Sequence, residues 1–532
     1  MDLSSSVKQW LQARGLEIPA QDGPGILAAV QSLNLSVDVL ASNFPMETLP
    51  EPFQRALVRL APEGGPNTQA AEPSVPELLN RHGQVSSEGW VKACLAAIHA
   101  SPLGSLAWVD LASDEALATA RQRDREHAQG QVRGPLHGVP IGLKDMFDVQ
   151  GRTAQWGSRL RGEHPVATRD AAIVQRLKAA GAVVLGYQHM AEFAMSPTGL
   201  NVHLGSGRNP WNAAHVSGGS SSGAGMSVGA GHVPVAIGSD TGGSVRLPAA
   251  LCGVTSLKPT QYRVSLSGAM PLSPSLDCVG PLARTAEECG WVFCAMSGQD
   301  ANDPSCLDLP PSVPDWSTPL GRSLTVAVPQ LEEGPYLSQA MREAFDETCR
   351  VLKEAGVRLV QVPMPDLQTL SNLGSLVLAS ETPALHRQWI RGSSEHYGRQ
   401  VRRRMSRGFL VSAYDYFDVL RMRPHLVAAF LQQHLPGADA LLLPTTPDGA
   451  PSIDASTNRP EDELEREFSR LSWWTRGINY LGLPALSFMV GMNGQGLPLS
   501  AQLIGRPLDE SMLVRLGALY QHHTDWHLRR PQ

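Results

Sequence analysis

Short apolar runs alternate with amphipathic stretches along most of the chain. The runs A-V-V-L-G (Ala182–Gly186) and V-P-V-A-I (Val233–Ile237) predict buried strands. The stretch Asp114–Gln129 begins with acidic residues and is followed by Gly130, which predicts a helix, as does the pattern over Leu337–Ala355. Helices that alternate with short strands favour an α/β fold. We therefore expect a single large domain with a mixed central β-sheet covered by helices.

The first 60 residues have a different pattern. Apolar residues recur at helical spacing, for example Ile26, Leu27 and Val30, which predicts short helices. The stretch at 61–77 is polar and rich in proline and glycine, a composition typical of a linker. The sequence therefore predicts a small helical N-terminal extension over 1–60, a linker over 61–77 and the large domain over 78–532.

Composition and charge narrow the class of protein. The 532 residues include 42% hydrophobic and 18% charged residues, a globular mixture. The formal net charge of -6 argues against nucleic acid as a partner, because nucleic-acid-binding proteins usually carry a basic excess. We expect no secretory signal, because the N-terminus has no basic start followed by an apolar run. We also expect no membrane segment, because no apolar run reaches about 18 residues. The seven cysteines are odd in number and include no C-x-x-C pair, which favours the cytoplasm.

The stretch G-S-D-T-G-G-S-V-R (Gly238–Arg246) follows a predicted strand and precedes a segment that could begin a helix. A serine at such a turn, Ser244, can be held exposed as a nucleophile. Backbone N–H groups from Thr241, Gly242, Gly243 and Ser244 could then form an oxyanion hole. A phosphate-binding or structural turn is the alternative, although the pattern G-x-x-x-x-G-K-[ST] is absent.

A nucleophilic serine needs a base, and histidine is the usual one. His215 and His232 stand in no recognisable motif, so we expect them to be structural or surface residues. Lys144 follows the apolar run V-P-I-G-L, which would place it at the end of a buried strand. A lysine can act as a base where burial lowers its pKa, although most lysines are simply solvated.

Three stretches taken together resemble the amidase signature family: G-V-P-I-G-L-K-D, S-G-G-S-S-S-G-A-G and G-S-D-T-G-G-S-V-R-L-P-A-A-L. The resemblance covers roughly residues 77 to 530. It implies a Ser–cisSer–Lys triad in which Ser244 is the nucleophile, Ser220 the bridging serine and Lys144 the base. Gly218 and Gly219 would give Ser220 its unusual backbone and border the substrate. Many relatives have glycine where this chain has Ser222.

The resemblance also gives the candidate oxyanion hole and its support. The N–H groups of Thr241 to Ser244 would stabilise the oxyanion, and Asp240 and Arg246 would support that loop as a structural ion pair. This assignment implies an acyl-enzyme mechanism without a metal or other cofactor.

The substrate is less well defined by the sequence. The segment M-A-E-F-A-M-S-P-T-G-L-N-V-H resembles the biuret and carboxybiuret hydrolase branch, and it supplies four candidate pocket residues, Phe193, Met195, Ser196 and Asn201. Ordinary loop packing is an equal alternative for these four. The extension weakly resembles the small helical partner subunit of those enzymes, or is a generic helical addition. The run Arg402–Arg404 could face an anionic substrate, but we expect a solvated helix face.

The main hypothesis is an amidohydrolase that cleaves a C–N bond of a small amide, ureido or carbamate substrate and releases ammonia or an amine. A glutaminase subunit of a tRNA-dependent amidotransferase is one alternative, because the same motifs occur there. A catalytically silent binding scaffold is the other. We expect a small-molecule partner, no nucleic acid and no membrane, with a homodimer as one expected assembly.

Overall fold

The structure is a computed structural model that describes residues 23–41, 44, 52–62, 86–160, 165–312, 315–317, 320–331 and 334–531. The predicted linker at 61–77 lies outside the described residues except for Ala61 and Pro62. Residues 1–22 of the predicted extension also lie outside them.

Eleven strands form one sheet in the described part of the chain. They are β1 (Trp108–Leu111), β2 (Pro140–Lys144), β3 (Val183–Gln188), β4 (Val235–Asp240), β5 (Thr255–Lys258), β6 (Cys278–Ala283), β7 (Thr325–Pro329), β8 (Arg358–Val362), β9 (Ala440–Pro444), β10 (Ala485–Met492) and β11 (Pro498–Gly505). Their order is β1-β3-β2-β4-β6-β5-β10-β11-β9-β7-β8. β2 is parallel to β3 and β4, and β7 is parallel to β8 and β9. The other pairs are antiparallel, which confirms the predicted mixed sheet.

Helices cover this sheet, as predicted. Those described are α1 (Gly23–Ala41), α2 (Phe53–Arg59), α3 (Ser87–Ala100), α4 (Gly104–Ala107), α5 (Ser113–Ala128), α6 (Ala172–Ala179), α7 (Ser222–Gly229), α8 (Arg246–Cys252), α9 (Ala286–Met296), α10 (Gln339–Glu354), α11 (Leu367–Leu385), α12 (Arg387–Gly392), α13 (Arg399–Ser406), α14 (Ala413–His434), α15 (Glu461–Leu471), α16 (Trp473–Leu481) and α17 (Glu510–His522). Short 3₁₀ turns lie at Glu192–Ala194, Ser394–His396, Arg407–Leu410, Asp454–Ser456 and Trp526–Leu528.

The predicted strand at 233–237 begins two residues later in the structure, as β4. Pro234 has no backbone N–H to donate to a neighbouring strand, so regular pairing starts after it. The strand continues through Gly238 to Asp240. A Cβ on Gly238 would lie 2.6 Å from the hydroxyl of Ser221, so only glycine allows this close approach. The paired strand therefore extends to Asp240, directly before the serine-containing turn.

The helix α1 lies against α11 and α14 of the large domain. Its buried residues recur at helical spacing and are Gly23, Ile26, Val30, Leu33 and Val37. The side-chain amide of Asn372 also donates to the hydroxyl of Ser36 over 2.9 Å. By length and composition alone this helix could also cross a membrane. In the structure its apolar face instead covers the body of the protein.

The helix α2 of the extension makes a second attachment. The guanidinium of Arg423 lies 3.6 Å from the centre of the Phe53 ring, a favourable cation–π distance. Phe53 also packs edge-on against Tyr262, with ring centres 6.4 Å apart. The described part of the extension is therefore packed onto the large domain at two places.

Docking of α1 can be tested by placing a charge on its buried face. We expect Val37→Asp to loosen the helix, because Val37 is 1% exposed and an unpaired buried carboxylate is costly. Amide hydrogen exchange within Gly23–Ala41 should rise by at least about 10-fold. The control is Leu35→Asp on the opposite face, where the residue is 64% exposed and exchange should stay unchanged. Equal exchange in both variants would contradict the docked position.

Candidate active site

The topology of the sheet brings the candidate residues to one edge. β2 ends at Lys144 and the parallel strand β4 ends at Asp240, so their carboxyl ends lie side by side. β6 runs antiparallel to β4 and begins opposite it, with Cys278 paired to Asp240. Asp277, one residue earlier, therefore reaches the same edge. This arrangement gathers a lysine and two carboxyl groups that are far apart in sequence.

Lys144 is held by two serine hydroxyls. Its Nζ lies 2.7 Å from Oγ of Ser220 and 2.8 Å from Oγ of Ser239. Lys144 is 1% exposed, and both serines are also buried. Burial lowers the pKa of Lys144 to about 7, although the carboxyl groups of Asp277 and Asp240 act in the opposite direction. A substantial fraction of neutral lysine is therefore available near neutral pH, as a general base requires.

Ser220 belongs to a tight loop before α7. The Gly219–Ser220 peptide bond is cis, the feature that the family resemblance implies. Gly218 has a φ of +77°, and a Cβ there would lie 2.8 Å from Cα of Pro248. A Cβ on Gly219 would lie 2.5 Å from the backbone nitrogen of Gly199. Both positions therefore require glycine, because any larger residue would displace neighbouring backbone.

Ser244 lies in the turn between β4 and α8. The backbone N–H of Ser221 donates to the carbonyl oxygen of Ser244 over 3.3 Å, which places the two serine-containing runs side by side. Gly243 has a φ of +122°, and a Cβ there would lie 2.3 Å from the hydroxyl of Thr475. The turn is thus packed against α16 on one side and the Ser220 loop on the other.

The structure changes the set of predicted oxyanion donors. The N–H of Gly243 donates to Oδ1 of Asp240 over 2.8 Å, so it is directed into the protein. The carbonyl of Gly242 accepts a hydrogen bond from Thr475 Oγ1 over 2.8 Å, which fixes the same peptide unit from its other end. The N–H of Gly243 is therefore not available to an oxyanion, and this glycine instead allows the positive φ of the turn. Thr241, Gly242 and Ser244 stay the predicted donors.

Asp240 and Arg246 form the buried ion pair expected of them. The guanidinium contacts both carboxylate oxygens at 3.1 Å, and neither side chain is exposed. The Asn479 amide donates to Asp240 over 2.8 Å, and Gln502 accepts from Arg246 over 2.9 Å. Although burial opposes ionisation, Arg246 holds the pKa of Asp240 well below its usual range. Removing one partner of such a pair typically costs about 3–5 kcal/mol, so this pair is a rigid frame for the turn.

The four predicted pocket residues separate into different roles. Met195 lines a cavity with a volume of about 980 Å³. Ser196 and Asn201 border a smaller cavity of about 320 Å³. The ring of Phe193 is fully buried against His386, with ring centres 4.5 Å apart.

Asn201 also has a structural role. Its Nδ2 donates to the carbonyls of Gly157 and Met190 at 2.8 and 3.0 Å, and its Oδ1 accepts from the backbone of His203 and Leu204. All of its hydrogen-bonding capacity is thereby used within the protein. Loop packing, the alternative interpretation, describes Phe193 and Asn201 better than substrate binding does.

The cavity of about 980 Å³ lies near the turn that carries Ser244, although no residue of Thr241–Ser244 lines it. Its wall includes α1, α11, α13, α15 and α16. It reaches Arg476, whose Cγ lies 3.7 Å from the position that a Cβ on Gly242 would occupy. The cavity therefore lies next to one of the predicted oxyanion donors, with room for a small molecule.

Two residues of this site were not identified by sequence reasoning. Ser239 is the second partner of Lys144, and Asp277 accepts hydrogen bonds from Thr241, Leu272 and Ser273. Ser239 stands directly before Asp240 in the quoted motif, which is the signal that could have identified it. Burial raises the pKa of Asp277 to about 7. Among the described residues, no group of three or more His, Cys, Asp or Glu side chains could hold a metal ion.

Comparison with known proteins gives the family. The amidase family model matches residues 90–514, and the chain belongs to the amidase signature family. Its curated relatives include one subunit of the glutamyl-tRNA(Gln) amidotransferase of Roseiflexus castenholzii (strain DSM 13941 / HLO8), which is 36% identical over 481 residues, covering 86% of this chain and 96% of the relative. The corresponding subunit of Neisseria meningitidis serogroup C (strain 053442) is 33% identical over 481 residues, covering 86% and 98%.

Solved structures agree with this fold. An inhibitor-bound structure, described as a vestigial protein complex that reveals the origins of an s-triazine catabolic enzyme, has a TM-score of 0.75 and 33% identity. It covers 84% of this chain and 97% of that one. The native peptide amidase of Stenotrophomonas maltophilia has a TM-score of 0.73 and 29% identity, covering 87% and 98%. The amidase fold therefore covers most of this chain, and the chain belongs to a family of amidase-type enzymes.

The role of Ser239 can be tested with Ser239→Ala. We expect kcat/KM to fall by about 10- to 100-fold, because Lys144 loses one of the two hydroxyls that aim it. The midpoint of the pH profile should also fall, since protonated lysine loses an acceptor. The control is Ser256→Ala on β5, whose buried hydroxyl has no hydrogen-bond partner among the described residues. An unchanged rate and midpoint in Ser239→Ala would show that Ser239 does not position the base.

Proposed function

We propose that this protein is an amidohydrolase that cleaves a C–N bond of a small amide, ureido or carbamate substrate through an acyl-enzyme on Ser244. The observation that carries the proposal is the hydrogen bond between Lys144 and Ser220 in a buried site, where the loop of Ser220 is joined to Ser244 by a backbone hydrogen bond. A buried lysine with a pKa near neutrality, next to serine hydroxyls, supports a general base rather than a solvated surface charge.

The first half of the reaction forms the acyl-enzyme. Neutral Lys144 takes a proton from Ser220 as Ser220 takes one from Ser244, and Oγ of Ser244 attacks the carbonyl carbon of the substrate. The N–H groups of Thr241, Gly242 and Ser244 stabilise the negative oxygen of the tetrahedral intermediate. When the C–N bond breaks, the same relay returns the proton to the nitrogen, which leaves as ammonia or an amine.

The second half releases the acyl group. A water molecule attacks the ester carbonyl, gives its proton to the relay and forms a carboxylic or carbamic acid, while Ser244 regains its proton. No cofactor takes part in these steps.

A fluorophosphonate tests the nucleophile and its base together. We expect peptide mass spectrometry to find one adduct, on Ser244, that is absent in Ser244→Ala. Lys144→Ala should slow labelling by about 100-fold or more, because general-base activation is lost. Lys178→Ala is the control, since Lys178 is 42% exposed and paired with Asp170 on the surface. No adduct on Ser244 in the wild type would contradict the proposal and favour the silent scaffold.

A glutaminase subunit of a tRNA-dependent amidotransferase is the second candidate. It is favoured by the names of the curated relatives, of which this chain covers nearly the whole length. If it is correct, other subunits of such an enzyme are partners, and the partner prediction widens from a small molecule to a protein assembly. The fused helices α1 and α2, which pack directly on the large domain, support the free-standing enzyme instead.

Ammonia release separates these two candidates. We expect the chain alone to release ammonia from small amides more rapidly than from L-glutamine. Addition of the other amidotransferase subunits and tRNA should leave the rate unchanged. A glutaminase rate that rises at least about 10-fold on that addition would transfer the assignment to the second candidate.

Location and assembly belong to the same proposal. All seven cysteines are free and five of them are buried, an arrangement that supports the reducing cytoplasm as the site of action. We retain the expectation of no nucleic-acid and no membrane partner for the free-standing enzyme, and of a homodimer as one expected assembly.

A further inference from the structure

The helix α1 of the N-terminal extension forms part of the wall of the cavity of about 980 Å³. Its lining residues recur on one side of the helix, because positions three, four and seven apart share a face. They are Gly25, Ala28, Ala29, Ser32 and Leu33. The residues that bury α1 against the protein, such as Ile26, Val30 and Val37, occupy the neighbouring side. The extension and the large domain therefore enclose this volume together.

The opposite part of the same cavity lies near the catalytic turn. Arg476 lines the cavity and follows Thr475, whose hydroxyl donates to the carbonyl of Gly242 over 2.8 Å. Met195 also lines it, from the segment that precedes the Ser220 loop in the sequence. The cavity thus lies between α1 and residues packed against the turn that carries the proposed nucleophile.

Gly25 lets the start of α1 lie directly against an ion pair of the large domain. A Cβ on Gly25 would overlap the guanidinium of Arg403 and lie 3.0 Å from Oδ1 of Asp462, and these two groups are 2.9 Å apart. The expectation that the run Arg402–Arg404 is a solvated helix face is wrong, because Arg403 is only 7% exposed and Arg404 lines the cavity. The start of α1 is therefore seated on the wall of the cavity.

The middle of α1 lies beside α11. Asn372 of α11 lines the cavity and donates to the hydroxyl of Ser36, one turn beyond Ser32. All the residues that α1 and α11 contribute to the wall are uncharged, including Leu33 and Leu378. This side of the cavity can therefore receive an uncharged group without burying a charge of the protein against it.

We propose that α1 is one wall of the substrate cavity and limits the size of the acyl part that a substrate can carry. The inference rests on the proposed function and adds a size limit for its substrate. A substrate whose carbonyl carbon lies at Ser244 would place the far end of its acyl part against α1. The small side chains of Ala28 and Ala29 leave space there, and larger ones would fill it.

Two fluorophosphonates that differ only in the alkyl chain on phosphorus, ethyl or octyl, are the probes for this inference. The alkyl chain takes the place of the acyl part when the phosphorus reacts with Ser244. We expect both reagents to label the wild type. Ala29→Trp should slow the octyl reagent by about 10-fold or more, because the added ring fills space remote from Ser244. The rate with the ethyl reagent should stay similar.

Ser32→Trp is a second variant of the same wall, and the same result is expected. Because Ser32 is exposed, a ring there enters the mouth of the cavity without displacing the buried face of α1. Gln31→Trp is the matched control. Gln31 is exposed and lies about 200° around the helix from Ala29, so a ring there points away from the cavity. Both rates should then equal those of the wild type.

The two reagents also distinguish failure of this inference from failure of the proposed function. Equal slowing of both reagents in Ala29→Trp and Ser32→Trp, or no slowing of the octyl reagent, would overturn the role of α1 and leave the proposed function standing. A wild type that reacts with the ethyl reagent alone, or a Gln31→Trp variant that behaves like Ala29→Trp, would also overturn it. Failure of the ethyl reagent to label Ser244 in the wild type would overturn the proposed function itself.

Discussion

The site depends on keeping one lysine ammonium out of water. Lys144 ends a strand that is buried along its whole length, and its hydrogen-bonding neighbours are the uncharged hydroxyls of Ser220 and Ser239. Because Lys144 is buried, the charged form loses its advantage and the neutral amine becomes accessible near pH 7. Asp277 and Asp240 limit this shift, so the lysine is poised between its two states and does not become permanently neutral.

The surrounding residues help to keep Lys144 between its charged and neutral forms. Asp240 lies at the end of the neighbouring strand. Its carboxylate forms an ion pair with Arg246 and accepts a hydrogen bond from Asn479, instead of pairing directly with Lys144. The glycines of both loops let neighbouring chain segments approach closely, and the N–H of Ser221 donates to the carbonyl oxygen of Ser244. Beyond them lies the cavity of about 980 Å³, whose wall includes Arg404 and Arg476.

Local patterns predicted much of this arrangement. The mixed α/β sheet and the strand before Lys144 follow from apolar runs, and Ser220 and Ser244 stand in two glycine-rich motifs, Ser217–Gly225 and Gly238–Arg246. Ser239 was missed because its contact with Lys144 depends on the pairing of β2 with β4, which the linear sequence does not display. The expectation that Arg404 lies on a solvated helix face was wrong for a related reason. A basic run usually faces solvent, and only tertiary packing of α13 turns it toward the cavity.

The most direct test of the central claim is the pKa of Lys144 itself. Lysine labelled with ¹³C at Cε reports its own titration by NMR, and the signal that disappears in Lys144→Met identifies the residue. The account predicts a midpoint at about 7 in the folded protein. A Lys144 signal that keeps the shift of a charged ammonium up to about pH 10, as in a solvated lysine, would contradict the role of this residue as the base.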